Sequence, residues 1–202
     1  MTTLAVKERP ILFSATMILA LLEGRKTQTR RIIKNDWWRC LDPEDDEDRA
    51  DAISQCPYGQ LGDRLWVKER HWRHEQLVGG LAVGSGPGEG WRKDEQVAFG
   101  LCAPGIDSSR AYITERWKIC PSIHLPRKLS RITLEITDVR IQRVRDISDE
   151  DAIAEGFAPS RGRIGWQPAR DAFLDLFFNI NKRAPSDSNP WVWALTFKRV
   201  KP

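Results

Sequence analysis

Apolar positions along the chain follow two rhythms. Alternation is strongest over residues 130–145. There Ile132, Leu134 and Ile136 share one face, and Val139, Ile141 and Val144 resume after a turn or bulge at Asp138. Residues 64–69 alternate as a strand fed by the turn cluster 58–63, and residues 191–200 read as a closing strand. Residues 10–13 form a short extended piece. Residues 27–33 favour a strand with Thr27, Thr29 and Arg31 on one face and Gln28, Arg30 and Ile32 on the other.

The helical rhythm appears three times. Residues 14–23 are rich in helix formers, with Ser14 as N-cap and Gly24 just past the end. Residues 148–155 begin on Ser148, carry Asp151 at the capping-box position and stop at Gly156. Residues 167–178 place Phe173, Leu174, Phe177 and Phe178 toward a core. Between these elements, residues 35–57 read as irregular, and the acidic run 42–48 as a solvated insertion. The glycine-rich 74–110 reads as a flexible insertion or loose hairpin, with a short strand at 111–114; 121–126 is irregular. This order predicts an α+β fold, a small β-barrel of about five to six strands with helices over its openings and long loop insertions.

Composition narrows the function classes. The 202 residues suit a single domain, 1–202, with insertions at about 35–57 and 74–125. No apolar run approaches the roughly 18 residues of a membrane helix, and the first ten residues lack a signal-peptide core, which predicts a cytoplasmic protein with no membrane partner. Cys40, Cys56, Cys102 and Cys120 form no CxxC pair and read as free thiols; Cys40 and Cys56 with a distant histidine are the weaker, metal-binding reading. His71 and His74 lie three apart without a third ligand at a metal spacing, so neither metal nor cofactor is expected.

Net charge is only +4, but it is uneven. Residues 1–40 hold eight Lys/Arg against three acids, and residues 116–145 hold eight against two. Two such blocks on one face would make a surface for an anionic ligand. Nine tryptophans are many for this length, and several adjoin cations, as in Trp37-Trp38-Arg39 and Arg116-Trp117-Lys118. That interleaving suits stacking on unpaired bases. Trp66, Trp191 and Trp193 fall in strand runs and read as structural, although Trp66 also belongs, with Arg127, among the candidate nucleic-acid contacts.

One short segment carries the chemistry. Gly24-Arg25-Lys26-Thr27-Gln28-Thr29-Arg30-Arg31 sets four cations beside two threonines with no carboxylate. It suits a phosphate or a polarised carbonyl; otherwise it is a solvated helix-to-strand connection. The segment resembles the GxKTxTxR signature of ASCH domains, which are PUA-like β-barrels. Gly62-Asp63-Arg64-Leu65-Trp66-Val67 is similar to the family's GD-x-L-x-V strand, residues 132–144 to its central strand pair, and residues 193–200 to its last strand. The layout is similar to ASCH-like proteins of bacteriophages and prophages.

The resemblance implies RNA or a modified nucleoside as partner. It also implies a trio of motif lysine, second motif threonine and a glutamate in the helix after the central strands, here Lys26, Thr29 and Glu155. In small amidohydrolases of this kind the trio hydrolyses N4-acylated cytidine. Chemically, Thr29 offers a nucleophile, Lys26 a cation whose charge burial would disfavour, and Glu155 a base or shuttle. Arg25, Arg30, Arg31, Trp66 and Arg127 are the accompanying nucleic-acid-binding candidates. A ribonuclease in the same pocket, with His124 as a general acid, and a non-catalytic RNA- or nucleotide-binding module of phage origin are the alternatives. Glu69 is expected at the barrel mouth, or in an ion pair with Arg64 or a motif arginine.

Overall fold

The computed structural model describes residues 6–34, 45–78, 90–99, 115–162, 165–182 and 188–200. In chain order the elements are β1 (Glu8–Leu12), α1 (Ala15–Leu22), β2 (Gln28–Ile32), α2 (Asp46–Ser54), β3 (Arg64–Lys68), β4 (His71–Val78), β5 (Gly90–Ala98) and β6 (Glu115–Cys120). They continue with β7 (Thr133–Arg143), α3 (Asp149–Ala154), β8 (Ser160–Gly162), β9 (Gly165–Gln167), α4 (Ala169–Ile180) and β10 (Trp191–Val200). The chain divides into two compact units, Met1–Val67 with Ile132–Pro202, and Lys68–Arg131.

The first unit is built on a five-stranded sheet ordered β1-β3-β7-β10-β2. Its centre is the long antiparallel pair β7–β10. Thr196 faces Asp138 and Phe197 faces Ile136, so Thr137 is the extra residue of a bulge. The inward face therefore switches parity, and Leu134 and Ile136 can share a core with Val139. The expected break next to Asp138 is thus a bulge within one strand. Residues 132–144 supply that single strand and not a strand pair.

Leu65, Val67, Ile132, Trp193, Leu195 and Phe197 complete the core with Ile11 of β1, Phe13 just after it, and Ile18 and Leu21 of α1. A second apolar cluster joins Phe173, Leu174 and Phe177 of α4 to Val144, Ile147, Ala152 and Val192. Trp193 is buried in the core and Trp191 packs against it, as their strand positions predict.

Two expectations change. The five-stranded sheet is not a closed barrel: among the described residues β1 forms a strand ladder only with β3 and β2 only with β10. The chain entering β2 turns its Thr27 amide to the Ala154 carbonyl at the end of α3, at 2.7 Å, not to another strand. The region 35–57 is also not wholly irregular. Asp45 caps α2 by accepting from the Glu47 and Asp48 amides, and the acids that follow sit at the positive end of the helix dipole. Ala52 and Cys56 are then buried, and burial pushes the Cys56 thiol up. Residues 42–44 of the acidic run lie outside the described residues, as do Cys40, Cys102, Trp37, Trp38, the glycine-rich 79–89 and the short strand expected at 111–114.

In the second unit β4 lies between β5 and β6. The β4–β5 pairing is a hairpin, as one of the two readings of 74–110 proposed. Among the described residues its buried side chains are mostly polar: Glu69, His71, His74 and Glu75 beside Leu125. Glu69 takes both Arg131 nitrogens at 2.9 Å, and Glu75 takes Arg116 at 2.8 and 2.6 Å. Glu69 therefore pairs with Arg131, not with Arg64 or a motif arginine. His124 is exposed at the end of a 3-10 turn.

His71 is fully buried; its Nδ1–H donates to the Glu69 carbonyl at 3.3 Å and its Nε2 has no protein partner among the described residues. Burial holds its pKa below the ordinary histidine value. The Glu69 carbonyl and carboxylate oppose this, and Arg73 and His124 reinforce it. The unfolded chain then binds more protons than the folded one as pH falls below about 6.5, so stability is lost toward acid. Amide protection of β4 should fall between pH 7 and pH 5 in hydrogen exchange, and His71→Gln should flatten that dependence.

Candidate functional site

The signature segment is shaped by the two helix ends it touches. Ser14 caps α1, and Gly24 follows it with φ +76, the left-handed conformation that closes many helices. The Arg25 and Lys26 amides then return to the Ala20 carbonyl at 2.9 and 3.1 Å. The next partners belong to α3. Its carbonyls at the C-terminal end have no acceptor role within the helix. The Thr27 amide takes Ala154 O, the Lys26 ammonium takes Glu155 O at 2.8 Å, and Arg25 takes Gly156 O at 3.1 Å. Cations and donors at a helix C-terminus also face the negative end of its dipole.

Gly156 makes this approach possible. Its φ is +98, and a Cβ there would sit 3.1 Å from the Ala20 Cβ and 3.4 Å from the Lys26 Cβ. At Gly24 a Cβ would meet nothing, so only the backbone conformation demands glycine there.

The side chains then form one buried network. The Lys26 Nζ donates to Glu155 Oε2 at 2.6 Å, with both side chains almost fully buried. Arg30 reaches Glu155 Oε1 at 3.3 Å and Asp151 Oδ2 at 2.5 Å, and its guanidinium lies 5.9 Å from the Phe173 ring centre. Gln28 donates to Asp151 Oδ1 at 3.1 Å and accepts from Arg30. Gln28 and Arg30 share a strand face, as the alternation predicts. Burial holds the Lys26 ammonium below the ordinary lysine value. The Glu155 carboxylate opposes this, and Arg31 and Arg30 add to it.

Lys26 and Glu155 are therefore brought into direct contact across 129 positions of sequence. Thr29 is buried on the opposite face of β2 from Arg30. It meets Glu155 at a cavity of about 370 Å³. Arg30, Arg31, Ser14 and Asn181 also line that cavity, with the rings of Phe13, Phe157, Phe173 and Phe177. Arg31 donates to the Leu12 carbonyl at 2.5 Å and lies over Phe13 at 5.3 Å. The Nε atoms of Arg30 and Arg31 are buried and have no acceptor among the described residues.

The remaining candidates lie elsewhere. Arg25 is exposed and paired with Glu23. Trp66 is half-buried on β3 opposite Thr133. Arg127 opens a short 3-10 turn in the second unit. Asp151 and the four phenylalanines were not singled out as site residues. The usable signal was that Asp151 lies four before Glu155, on the same helix face; of the expected capping-box pair only the Ser148 half forms, the Asp151 amide donating to Ser148 Oγ at 3.1 Å, while the Asp151 carboxylate turns to Gln28 and Arg30.

The chain matches no family model and no curated protein. It is similar to the solved structure of an ASCH domain from Lactobacillus crispatus JV V101. That likeness has 11% identity and a TM-score of 0.43, and covers 96% of this chain and 79% of the other. A protein from Enterococcus faecalis V583, of the family model DUF984, is similar at 9% identity and a TM-score of 0.43, covering 98% and 78%.

Burial changes what substitution does here. An accessible pocket would let variants of the trio fold freely, but removing one partner of a buried pair strands the other charge, at about 3–5 kcal/mol. Lys26→Met and Glu155→Gln should each lower the urea midpoint strongly, and the double variant should cost clearly less than their sum. Gly156→Ala should destabilise by about 1–3 kcal/mol through its conformation and the Ala20 and Lys26 contacts, and more than Gly24→Ala in the same assay.

Proposed function

We propose that the cavity beside β2 takes a nucleoside and hydrolyses an acyl amide on a cytidine-type base. One observation carries the reading: a hydroxyl and a carboxylate, Thr29 and Glu155, line a single aromatic cavity with two arginines whose Nε–H donors are unsatisfied. The volume of about 370 Å³ lies at the small end of ligand sites, roughly 300–1,000 Å³, and suits a nucleoside better than a polynucleotide. The resemblance of the signature segment to ASCH amidohydrolases points to the same substrate class.

In this reading the Thr29 hydroxyl attacks the acyl carbonyl carbon and gives its proton to the Glu155 carboxylate, the member of the Lys26–Glu155 pair that lines the cavity. The carbonyl oxygen becomes an oxyanion within reach of the arginine donors. Collapse breaks the carbon–nitrogen bond, and the pair returns the proton to the departing amine. Water then attacks the acyl-threonine by the same route in reverse, releasing a carboxylic acid. A second reading, a non-catalytic nucleotide-binding module, is favoured by one feature: both Glu155 oxygens are already held by cations.

The purified protein, incubated with a panel of N4-acylated cytidines and with single-stranded RNA, should release cytidine. Thr29→Ala should lower turnover by about a hundredfold or more, while Thr29→Ser retains part of it. Cytidine binding without turnover would leave the binding module, and cleavage of the RNA alone would leave a ribonuclease.

A further inference from the structure

The cavity adjoins a main-chain edge as well as side chains. Strand β2 bonds β10 on one side, and no described strand lies on the other. The Ile33 amide donates to Trp191 O at 3.0 Å and the Phe197 amide to Thr27 O at 2.8 Å. These two contacts mark the bonded rungs of the antiparallel ladder, so Thr29 and Arg31 direct their main-chain groups to β10. Gln28, Arg30 and Ile32 sit at the intervening rungs and direct theirs away from it. The far side of β10 agrees with this phase: the Val144 amide bonds Pro190 O, so the even positions of β10 face β7. Among the described residues, no protein group bonds the outward N–H and C=O of Arg30 and Ile32, and both residues line the cavity.

Such an edge ordinarily invites another strand. Here β2 is five residues long and meets an aromatic-lined cavity of nucleoside size. The N–H and C=O of one unpaired strand residue point the same way and form a donor beside an acceptor. A planar ring with an acceptor nitrogen next to an exocyclic amine is their complement, and cytosine carries that pair on its Watson–Crick edge.

We propose that the main chain of Arg30 reads the base. Its N–H donates to the ring nitrogen, and its C=O accepts from the exocyclic N–H. The phenylalanines supply apolar cover for the ring. An N4-acylated base keeps one exocyclic N–H, so the substrate class proposed above retains both bonds. This inference rests on the nucleoside reading of the cavity and adds to it what selects the base.

The test is a titration of the ¹⁵N-labelled protein with cytidine, 3-deazacytidine, which lacks the ring acceptor, and zebularine, which lacks the amine. Cytidine should move the Arg30 amide proton downfield, and each analogue should bind at least about tenfold more weakly, as expected for a lost hydrogen bond that leaves its partner buried. If cytidine perturbs Thr29 and the phenylalanine rings but not the Arg30 amide, and the analogues bind equally well, main-chain reading is overturned while the nucleoside cavity stands. If no nucleoside perturbs the cavity, both fall. If the Gln28, Arg30 and Ile32 amides shift with protein concentration alone, a second copy occupies the edge and the inference is likewise overturned.

Discussion

The buried contact between Lys26 and Glu155 organises the first unit. Taking two charges out of water is costly, and their attraction offsets that cost only where the remaining donors and acceptors are also satisfied. Here they are. The ammonium bonds both a carboxylate oxygen and a helix-end carbonyl, and the carboxylate's second oxygen takes Arg30. Arg30 is in turn held by Asp151, which also takes Gln28. The same contact docks the end of α3 on the segment between α1 and β2, and so sets the wall of the cavity that Thr29 and Glu155 share.

The two polar sets therefore play different parts. The groups that bond one another, Lys26, Gln28, Arg30, Asp151 and Glu155, fix geometry. The group at the cavity with bonding capacity unused is the outward main chain of Arg30. Arg30 belongs to both sets, its terminal nitrogens in the network and its outward main chain at the cavity. A residue chosen from the sequence as a nucleic-acid contact is thus also a structural cation, and its loss would be felt in fold and in binding alike.

Much of this was legible before the fold. Ser14, Gly24, Ser148 and Gly156 mark helix ends by chemistry that acts over a few residues, and the helices begin and stop at them. The alternation around Ile132–Ile136 and Val139 gave the central strand and the place where its phase changes. What the sequence hid depends on distance. Closure of the barrel turns on whether β1 and β2 find each other, and no local pattern reports that. The acidic run read as irregular because its charge was counted without the helix dipole that accommodates it. The two long pairings, Lys26 with Glu155 and Arg30 with Asp151, became visible only through a family likeness in the first case and not at all in the second.

The placing of β2 has a consequence for the birth of the molecule. Its only strand partner among the described residues is β10, the last strand, and the partners of Lys26 and Arg30 lie more than a hundred residues further on. On the ribosome the signature segment emerges well before these partners and must wait, its cations solvated, until residues 151–200 have followed. Contacts of such long sequence separation are slow to form. Until β10 arrives, β7 also lacks its longest partner, so the nascent sheet exposes the apolar flank of β7. Translation speed and chaperone access while residues 132–200 are being made then bear directly on yield, in a way that the stability of the finished fold would not reveal.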